Sequence, residues 1–113
     1  MNYQSYLLPA LIILFFAYKF LRNKQIKKKM PELMKSGATI IDVRSPEEFK
    51  AGHNPISKNI PLNQLESEIK KLNKDSSFVL CCASGARSGM ALAIFKRHGF
   101  KNVHNGGPWS NTL

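Results

Sequence analysis

The sequence predicts an α/β domain with a parallel sheet, attached to a membrane by an N-terminal transmembrane helix. After residue 30, short apolar segments rich in β-branched residues alternate with helical segments, which is typical of parallel strands covered by helices on both faces. Before residue 22 the chain is almost continuously apolar. We therefore divide the chain into an anchor at residues 1–22, a basic linker at 23–30 and a domain at 31–113.

The apolar segment is just long enough to cross a membrane. A spanning helix needs about 20 mostly apolar residues, and residues 3–21 meet this need if Lys19 extends to the headgroups. Pro9 falls within the first turn or so, where a missing N–H is tolerated. A signal peptide is the main alternative, but the basic start and the Ala-x-Ala cleavage site typical of one are missing. A buried core helix would not be apolar on all sides.

Basic residues predict the side of the membrane on which the domain lies. None precedes the apolar segment, and six accompany its C-terminal end: Lys19, Arg22, Lys24, Lys27, Lys28 and Lys29. An excess of Lys and Arg marks the cytoplasmic flank of a span. We therefore expect a single-pass membrane protein whose domain faces the cytoplasm. Contact with anionic lipid is an alternative role for the same stretch.

The remaining charge argues against a nucleic-acid partner. The net charge is +10, but residues 30–113 hold 11 basic and 7 acidic side chains, a net +4. Their basic residues do not interleave with exposed aromatic residues, as a nucleic-acid surface would require. The two cysteines are adjacent and the three histidines lie far apart, so we expect neither a metal site nor a cofactor.

The first half of the domain is predicted to alternate short helices with a buried strand. Pro31 and Gly37 suit the start and the stop of a short helix. Residues 39–43 are β-branched and apolar, as a buried strand requires. Ser45 is a good N-cap for a helix that starts with proline and ends near Gly52.

The second half repeats this alternation. Residues 58–60 form a short extended piece, and apolar residues recur at helical spacing across 62–72, which predicts an amphipathic helix. Residues 77–81 predict a second buried strand, and 88–99 a helix that ends at a glycine. Residues 101–104 predict a last short strand before a Gly-rich turn.

The loop after the second strand carries the chemistry. Residues 81–88 read CCASGARS, and catalytic loops of parallel sheets lie at the carboxyl ends of strands. Consecutive N–H groups that lead into a helix form an anion cradle and favour a cysteine thiolate. Gly85 permits a positive φ, and Arg87 adds a fork for an oxygenated anion. The alternative is a buried cysteine pair before an ordinary turn.

Four motifs of the domain resemble those of the single-domain rhodaneses, and they follow one another along the chain in the same order as in that family. Residues 82–88, CASGARS, resemble the C-x-x-G-x-R-S active loop of that family. Residues 42–53 resemble its D-V-R-x-x-E-E-[FY]-x-x-G-H signature, and 59–62 resemble the N-I-P-L that follows. Residues 99–107 resemble the closing G-[FY]-x-x-V…G-G. The resemblance extends from residue 31 to about 109.

This resemblance implies a three-layer fold with a central parallel sheet of about five strands, and sulfur transfer. Cys82 would take a sulfane sulfur from thiosulfate or another small anionic donor, becoming a persulfide, and pass it to a thiol or protein acceptor. Asp42 and Arg44 would support the loop. The residues expected to bind the donor are Ala83, Ser84, Gly85, Ala86, Arg87 and Ser88.

Two other functions remain open. Counted from Cys81, the loop reads C-x5-R and resembles phosphatases and arsenate reductases of the same fold, although Leu80 replaces their usual histidine. We favour Cys82, because Gly85 follows it by three residues and the smaller cradle suits a sulfane sulfur. Cys81 would then end the strand, either buried or as a resolving thiol. A non-catalytic docking module is the third possibility, and the intact loop argues against it.

Overall fold

A computed structural model describes residues 2–113, so the first residue of the predicted anchor lies outside them. Helices and strands alternate after a long N-terminal helix. The α-helices are α1 (Gln4–Lys35), α2 (Pro46–Ala51), α3 (Leu65–Glu68) and α4 (Ala86–Arg97). The strands are β1 (Thr39–Asp42), β2 (Lys58–Asn59), β3 (Phe78–Cys82) and β4 (Val103–Pro108). Short 3-10 turns occupy Leu62–Gln64, Ile69–Lys71 and Trp109–Thr112.

The strands form one parallel sheet in the order β2-β1-β3-β4. The parallel arrangement confirms the predicted class. The described residues contain four strands rather than about five, because the chain before β1 is helical as far as Lys35 and adds none. Asp42 of β1 lies beside Cys81 of β3, so the carboxyl ends of these central strands meet at one edge of the sheet.

Helices cover both faces of the sheet and give it three layers. On one face, Ile41 and Leu80 pack with Phe95 of α4 in the larger core cluster. On the other face, Ile40 packs in a smaller cluster with Met30 of α1. Residues 23–30, assigned above to a linker, are part of α1, because lysine, glutamine and methionine are good helix formers. Met30 of this stretch contributes to the core.

The N-terminal half of α1 is apolar, and its apolar window is not buried against the domain. Its apolar window has a mean hydropathy of 1.5 and none of that window is buried, whereas the core helix of a soluble protein would be mostly buried. Its length and composition suit a membrane anchor or a signal sequence. The helix starts at Gln4, so Pro9 lies inside it.

Several predicted boundaries of the later elements are confirmed. Ser45 caps α2, with its Oγ accepting from the N–H of Glu48 at 3.3 Å. The helix after β3 ends before Gly99, which has a φ of +87°. The predicted amphipathic helix at 62–72 is broken into 3-10 and α segments. β4 runs to Pro108, through residues that were predicted to form a turn.

A β-bulge in β4 brings that strand close to the site. Leu80 pairs with Asn105 and Cys81 with Gly107, so Gly106 is the extra residue between them. A Cβ atom at Gly106 would lie 2.9 Å from Cγ1 of Val79 and 3.0 Å from the carbonyl oxygen of Leu80. The bulge therefore requires a residue without a side chain.

Replacing this glycine should destabilise the fold. Gly106→Ala is expected to lower the free energy of unfolding by about 1–3 kcal/mol, because a strand backbone must shift to admit the methyl group. Gly89→Ala in α4 is the matched control, since its Cβ would come no closer than 3.6 Å to any neighbour. Denaturant unfolding of the full chain in detergent, followed by circular dichroism, measures both. Equal midpoints for the two variants would contradict the packing described here.

Candidate active site

The pleat of β3 sends the two adjacent cysteines to opposite faces of the sheet, because successive strand side chains alternate. Cys82 belongs to the core cluster that contains Phe95 of α4. Cys81 belongs to the cluster that contains Met30 of α1. Both are buried, and Cys82 rather than Cys81 is the last residue of the strand, a correction to the predicted boundary.

The Sγ of Cys82 lies inside the turn of the loop. It accepts hydrogen bonds from the backbone N–H of Gly85 at 2.9 Å and of Ser88 at 3.4 Å. The hydroxyl of Ser88 lies 3.5 Å from the same sulfur. Cys82 has 0% of its surface exposed, whereas Ala83 and Ser84, the next two residues of the loop, are exposed.

Gly85 makes this tight turn possible. Its φ is +102°, a left-handed value that residues with a side chain rarely adopt. It is also the N-cap of α4, so the loop passes directly into the positive end of that helix. A Cβ atom here would lie 3.3 Å from the Cα of Gly107, so β4 leaves little room as well.

Asn105 of β4 holds the loop from below. Its Oδ1 accepts from the Ser88 hydroxyl at 2.6 Å and from the N–H of Gly107 at 2.9 Å, and its Nδ2 donates to the carbonyl of Gly85 at 3.4 Å. The single hydroxyl proton of Ser88 cannot serve Asn105 and the sulfur at once. The backbone N–H groups are therefore the constant donors to the sulfur of Cys82.

The pKa of the Cys82 thiol is lowered from its ordinary value. Burial is the largest single influence and opposes this shift. The causes that lower the pKa and outweigh burial are the Ser88 hydroxyl, when its proton points to the sulfur instead of Asn105, and the N–H groups of Ser88, Gly85 and Ser84, all of which stabilise the thiolate. The loop therefore favours an ionised sulfur at residue 82.

Cys81 has the opposite electrostatics. Burial raises the pKa of its thiol to about 12, with a further contribution from the negative charge of Asp42, while Arg44 opposes the change. This thiol stays protonated at neutral pH. Of the two cysteines, Cys82 alone combines a lowered pKa with contact to the loop.

Arg87 is engaged by an acidic side chain. Its Nη1 lies 2.6 Å from Oε1 of Glu48 and its Nη2 lies 2.9 Å from Oε2, a bidentate pair that joins α4 to α2. The hydrogen bond from Arg87 is the main cause that lowers the pKa of Glu48 to about 2, followed by the N–H of Ser45. The fork expected to hold a donor is thus occupied by a carboxylate.

Asp42 and Arg44 form a buried brace behind this pair. Nε of Arg44 lies 3.0 Å from both carboxylate oxygens of Asp42, and its Nη2 lies 2.7 Å from Oδ2. Nη2 also donates to the carbonyl of Gly52 at 2.7 Å, and the guanidinium lies 4.9 Å from the ring of Trp109. The brace thereby holds the C-terminal end of α2, and Glu48 lies in the first turn of this same helix.

The loop after α2 has a structural role. The Nδ1 of His53 lies 2.6 Å from the carbonyl oxygen of Phe49, and the two rings stack at 3.7 Å. Asn54 is buried and donates to the carbonyl of Thr112 at 2.9 Å, which fixes the C-terminal segment. None of these hydrogen bonds involves the sulfur of Cys82.

Sequence reasoning missed two parts of the site. Asn105 was assigned to a turn, and no motif marks an asparagine before Gly-Gly as a loop support. The C-terminal half of α1 also lies against the loop, where Arg22 and Asn23 face Ser84 and Gly85 across a cavity of about 260 Å³. An apolar helix followed by lysines carries no signal for such a contact.

The two ion pairs should differ in their contribution to stability. Arg44→Met leaves the fully buried Asp42 without its partner, and we expect a loss of about 3–5 kcal/mol. Glu48→Gln breaks a pair whose side chains are 35% and 38% exposed, and we expect a clearly smaller loss, because solvent screens an exposed pair. Denaturant unfolding of the full chain in detergent compares them. A larger loss for Glu48→Gln would refute the assignment of Asp42 and Arg44 as the brace.

Comparison with known proteins identifies the family. The profile of the Rhodanese-like domain matches residues 25–106. The protein YqhL of Bacillus subtilis is 32% identical over 99 residues, which cover 85% of this chain and 79% of that protein. The thiosulfate sulfurtransferase GlpE of Pseudomonas aeruginosa is 30% identical over 78 residues, which cover 69% of this chain and 71% of that one.

The fold agrees with a solved structure of the same family. A rhodanese from E. coli, determined with anions, superposes with a TM-score of 0.63 at 30% sequence identity. The match covers 66% of this chain and 91% of that one. The matched profile extends over more than half of the chain and includes the loop from Cys82 to Ser88. The chain therefore belongs to the Rhodanese-like domain family.

Proposed function

We propose that this protein is a membrane-anchored sulfurtransferase that carries a sulfane sulfur as a persulfide on Cys82. The observation that best supports this is the sulfur of Cys82 held by the N–H groups of Gly85 and Ser88, with a lowered pKa. A thiolate is the nucleophilic form of cysteine. The named activity of the Pseudomonas relative, thiosulfate sulfurtransferase, agrees with this chemistry.

In the first step, the Cys82 thiolate attacks the outer sulfur of thiosulfate or of a persulfide donor. A new S–S bond forms, the old bond to the outer sulfur breaks, and its electron pair leaves with sulfite or the donor thiolate. The product is a Cys82 persulfide with one negative charge on its terminal sulfur. The N–H groups of Ser84, Gly85 and Ser88 point into the same turn and are the donors available to stabilise that charge.

In the second step, a nucleophilic acceptor attacks the terminal sulfur. Cyanide leaves as thiocyanate, and an acceptor thiolate leaves as a persulfide, with the electron pair of the broken S–S bond returning to Cys82. The thiolate is thereby regenerated without an external oxidant or reductant. We propose a low-molecular-weight thiol or a protein cysteine as the cellular acceptor, with the covalent intermediate dividing the transfer into two easier steps.

Donor access requires a movement of the loop. Cys82 is fully buried, and the next two residues of the loop, Ala83 and Ser84, are exposed and small. We propose that these residues move away to admit the donor while Gly85 stays packed against Gly107. The persulfide then occupies the space that they vacate.

The phosphatase and arsenate reductase alternatives require Cys81 as the nucleophile. Its side chain faces α1 on the other side of the sheet, and burial raises its pKa to about 12. Both observations favour Cys82. The docking-module alternative has no specific observation in its favour.

The location of the domain is also a proposal. We propose that α1 crosses the membrane once through its apolar N-terminal half, since none of the apolar window in that half is buried. The basic residues that follow predict that the domain faces the cytoplasm. Nucleic acid is not among the proposed partners, which are the anionic donor, the acceptor and the bilayer.

Cysteine variants test the proposed reaction. Cys82→Ser is expected to abolish thiocyanate formation from thiosulfate and cyanide, because the covalent intermediate cannot form. Cys81→Ser is the matched control and is expected to keep most of the activity, since its thiol is protonated and faces α1. Mass spectrometry of the thiosulfate-treated chain should show one added sulfur on Cys82 in the wild type and in Cys81→Ser.

The other outcomes separate the alternatives. Loss of activity only in Cys81→Ser, together with phosphatase or arsenate activity, would overturn the proposal in favour of the larger loop. A folded chain without activity towards either substrate class, and without an added sulfur, would favour the docking module.

A further inference from the structure

The cavity beside the loop has two walls, and α1 forms one of them. Its volume is about 260 Å³. One wall consists of the loop residues Ser84, Gly85 and Ala86 with Asn105 and Gly107 of β4. The other wall belongs to α1 and combines polar with apolar side chains: Phe15, Tyr18, Lys19, Arg22, Asn23 and Ile26. Cys82 lies directly beneath this loop, where the N–H of Gly85 donates to its sulfur. The cavity is therefore bordered by the same loop that holds the sulfur.

Contacts at several points hold α1 against this position. The Oδ1 of Asn23 accepts from Nδ2 of Asn111 at 3.2 Å. The same Oδ1 would lie 3.2 Å from a Cβ at Gly107, so the helix passes close to β4 at this point. Further along the same face of the helix, Met30 is 5% exposed and packs in the core. The wall formed by Lys19 and Arg22 is therefore a fixed part of the domain.

The charges around the cavity are of one sign. None of its lining residues, all within the described part of the chain, is acidic, and two are basic. The remaining cation near the loop, Arg87, is already paired in bidentate fashion with Glu48. The N-terminal end of α4 adds its partial positive charge, since Ala86 is both the first residue of that helix and part of the lining. An anion that approaches Cys82 meets an uncompensated positive potential supplied mainly by α1.

We propose that this cavity binds the anionic sulfur donor and that Lys19 and Arg22 of α1 supply the charge that attracts it. The donor class is a small sulfur oxyanion or the persulfide anion of a small thiol, which fits the volume and the charge. The identity of the anion rests on the proposed sulfur transfer, whereas the anion site itself rests on the geometry. The N-terminal helix is then a part of the binding site as well as an anchor.

Alkylation of Cys82 tests the electrostatic part without any sulfur transfer. Iodoacetate is an anion and iodoacetamide is neutral, and both alkylate a thiolate. The ratio of their rates at Cys82, read by peptide mass spectrometry on the full chain in non-ionic detergent, reports the potential at the sulfur. Arg22→Gln is expected to lower this ratio by about 3- to 10-fold at low salt, and Lys19→Gln to lower it similarly.

Two controls define the effect. Arg22→Lys keeps the charge and should keep most of the wild-type ratio. Lys28→Gln removes an exposed charge from the same helix outside the cavity lining, and should leave the ratio unchanged. Because exposed charges are screened by salt, the wild-type ratio should fall towards that of Arg22→Gln in 1 M potassium chloride, where the Debye length is about 3 Å.

The steady-state kinetics form the second arm. Arg22→Gln should raise the KM for thiosulfate by about the same 3- to 10-fold factor and change kcat less, because the lost charge acts on binding. If the alkylation ratio responds but no variant transfers sulfur, the anion site stands and the proposed function fails. If sulfur transfer is normal but Arg22→Gln and Lys19→Gln leave the ratio unchanged, the inference fails alone.

The lysine and the arginine have a competing ligand in lipid phosphate. Bilayer discs of neutral lipid and of anionic lipid separate the two, with the same pair of alkylating reagents. A wild-type ratio that stays above that of Arg22→Gln in both discs supports the donor site. Loss of this difference in anionic discs would assign Lys19 and Arg22 to the membrane and overturn the inference. Failure of both reagents to modify Cys82 would also overturn it.

Discussion

The hydrogen bond from the N–H of Gly85 to the sulfur of Cys82, 2.9 Å long, depends on a sharp turn at the end of β3. The turn needs a left-handed residue at position 85 and a close approach to Gly107, and both positions are glycine. Ser88 then adds its own N–H at the first turn of α4. Together with the Ser88 hydroxyl and the N–H of Ser84, these donors outweigh the effect of burial and lower the pKa of the buried Cys82 thiol.

Much of this arrangement could be predicted from residue patterns. The apolar strand, the small-residue loop and the following helix predict a cysteine at the carboxyl end of a parallel strand, and the structure has Cys82 there. The two-residue period of a strand predicts that the two adjacent thiols lie on opposite faces of the sheet. The structure has Cys81 on the face covered by α1 and Cys82 on the other face. Ser45 as an N-cap and Gly99 as a helix stop are local signals that tertiary packing did not override.

Other parts depend on contacts between distant segments, which local patterns do not encode. Arg87 is suited to an anion by its chemistry, yet Glu48, 39 residues earlier, occupies its guanidinium. The lysine-rich stretch was predicted to be a linker, because most of its residues are charged and few are apolar. In the structure, its few apolar residues, such as Met30, lie on the face of the helix that packs against the sheet. The sheet has four strands rather than about five, because the chain before β1 is helical. The packing of α1 on the sheet also places Lys19 and Arg22 beside the loop.

The central claim is that the loop holds Cys82 as a thiolate while Cys81 stays protonated. The most direct measurement is a titration of the ultraviolet absorbance of thiolate on the full chain in detergent, for the wild type, Cys81→Ser and Cys82→Ser. We expect one thiol with a pKa below the ordinary value for cysteine in the wild type and in Cys81→Ser. Cys82→Ser should show no thiolate until the pH nears 12. A low-pH titration that persists in Cys82→Ser, or a pKa of Cys82 above the ordinary value, would contradict it.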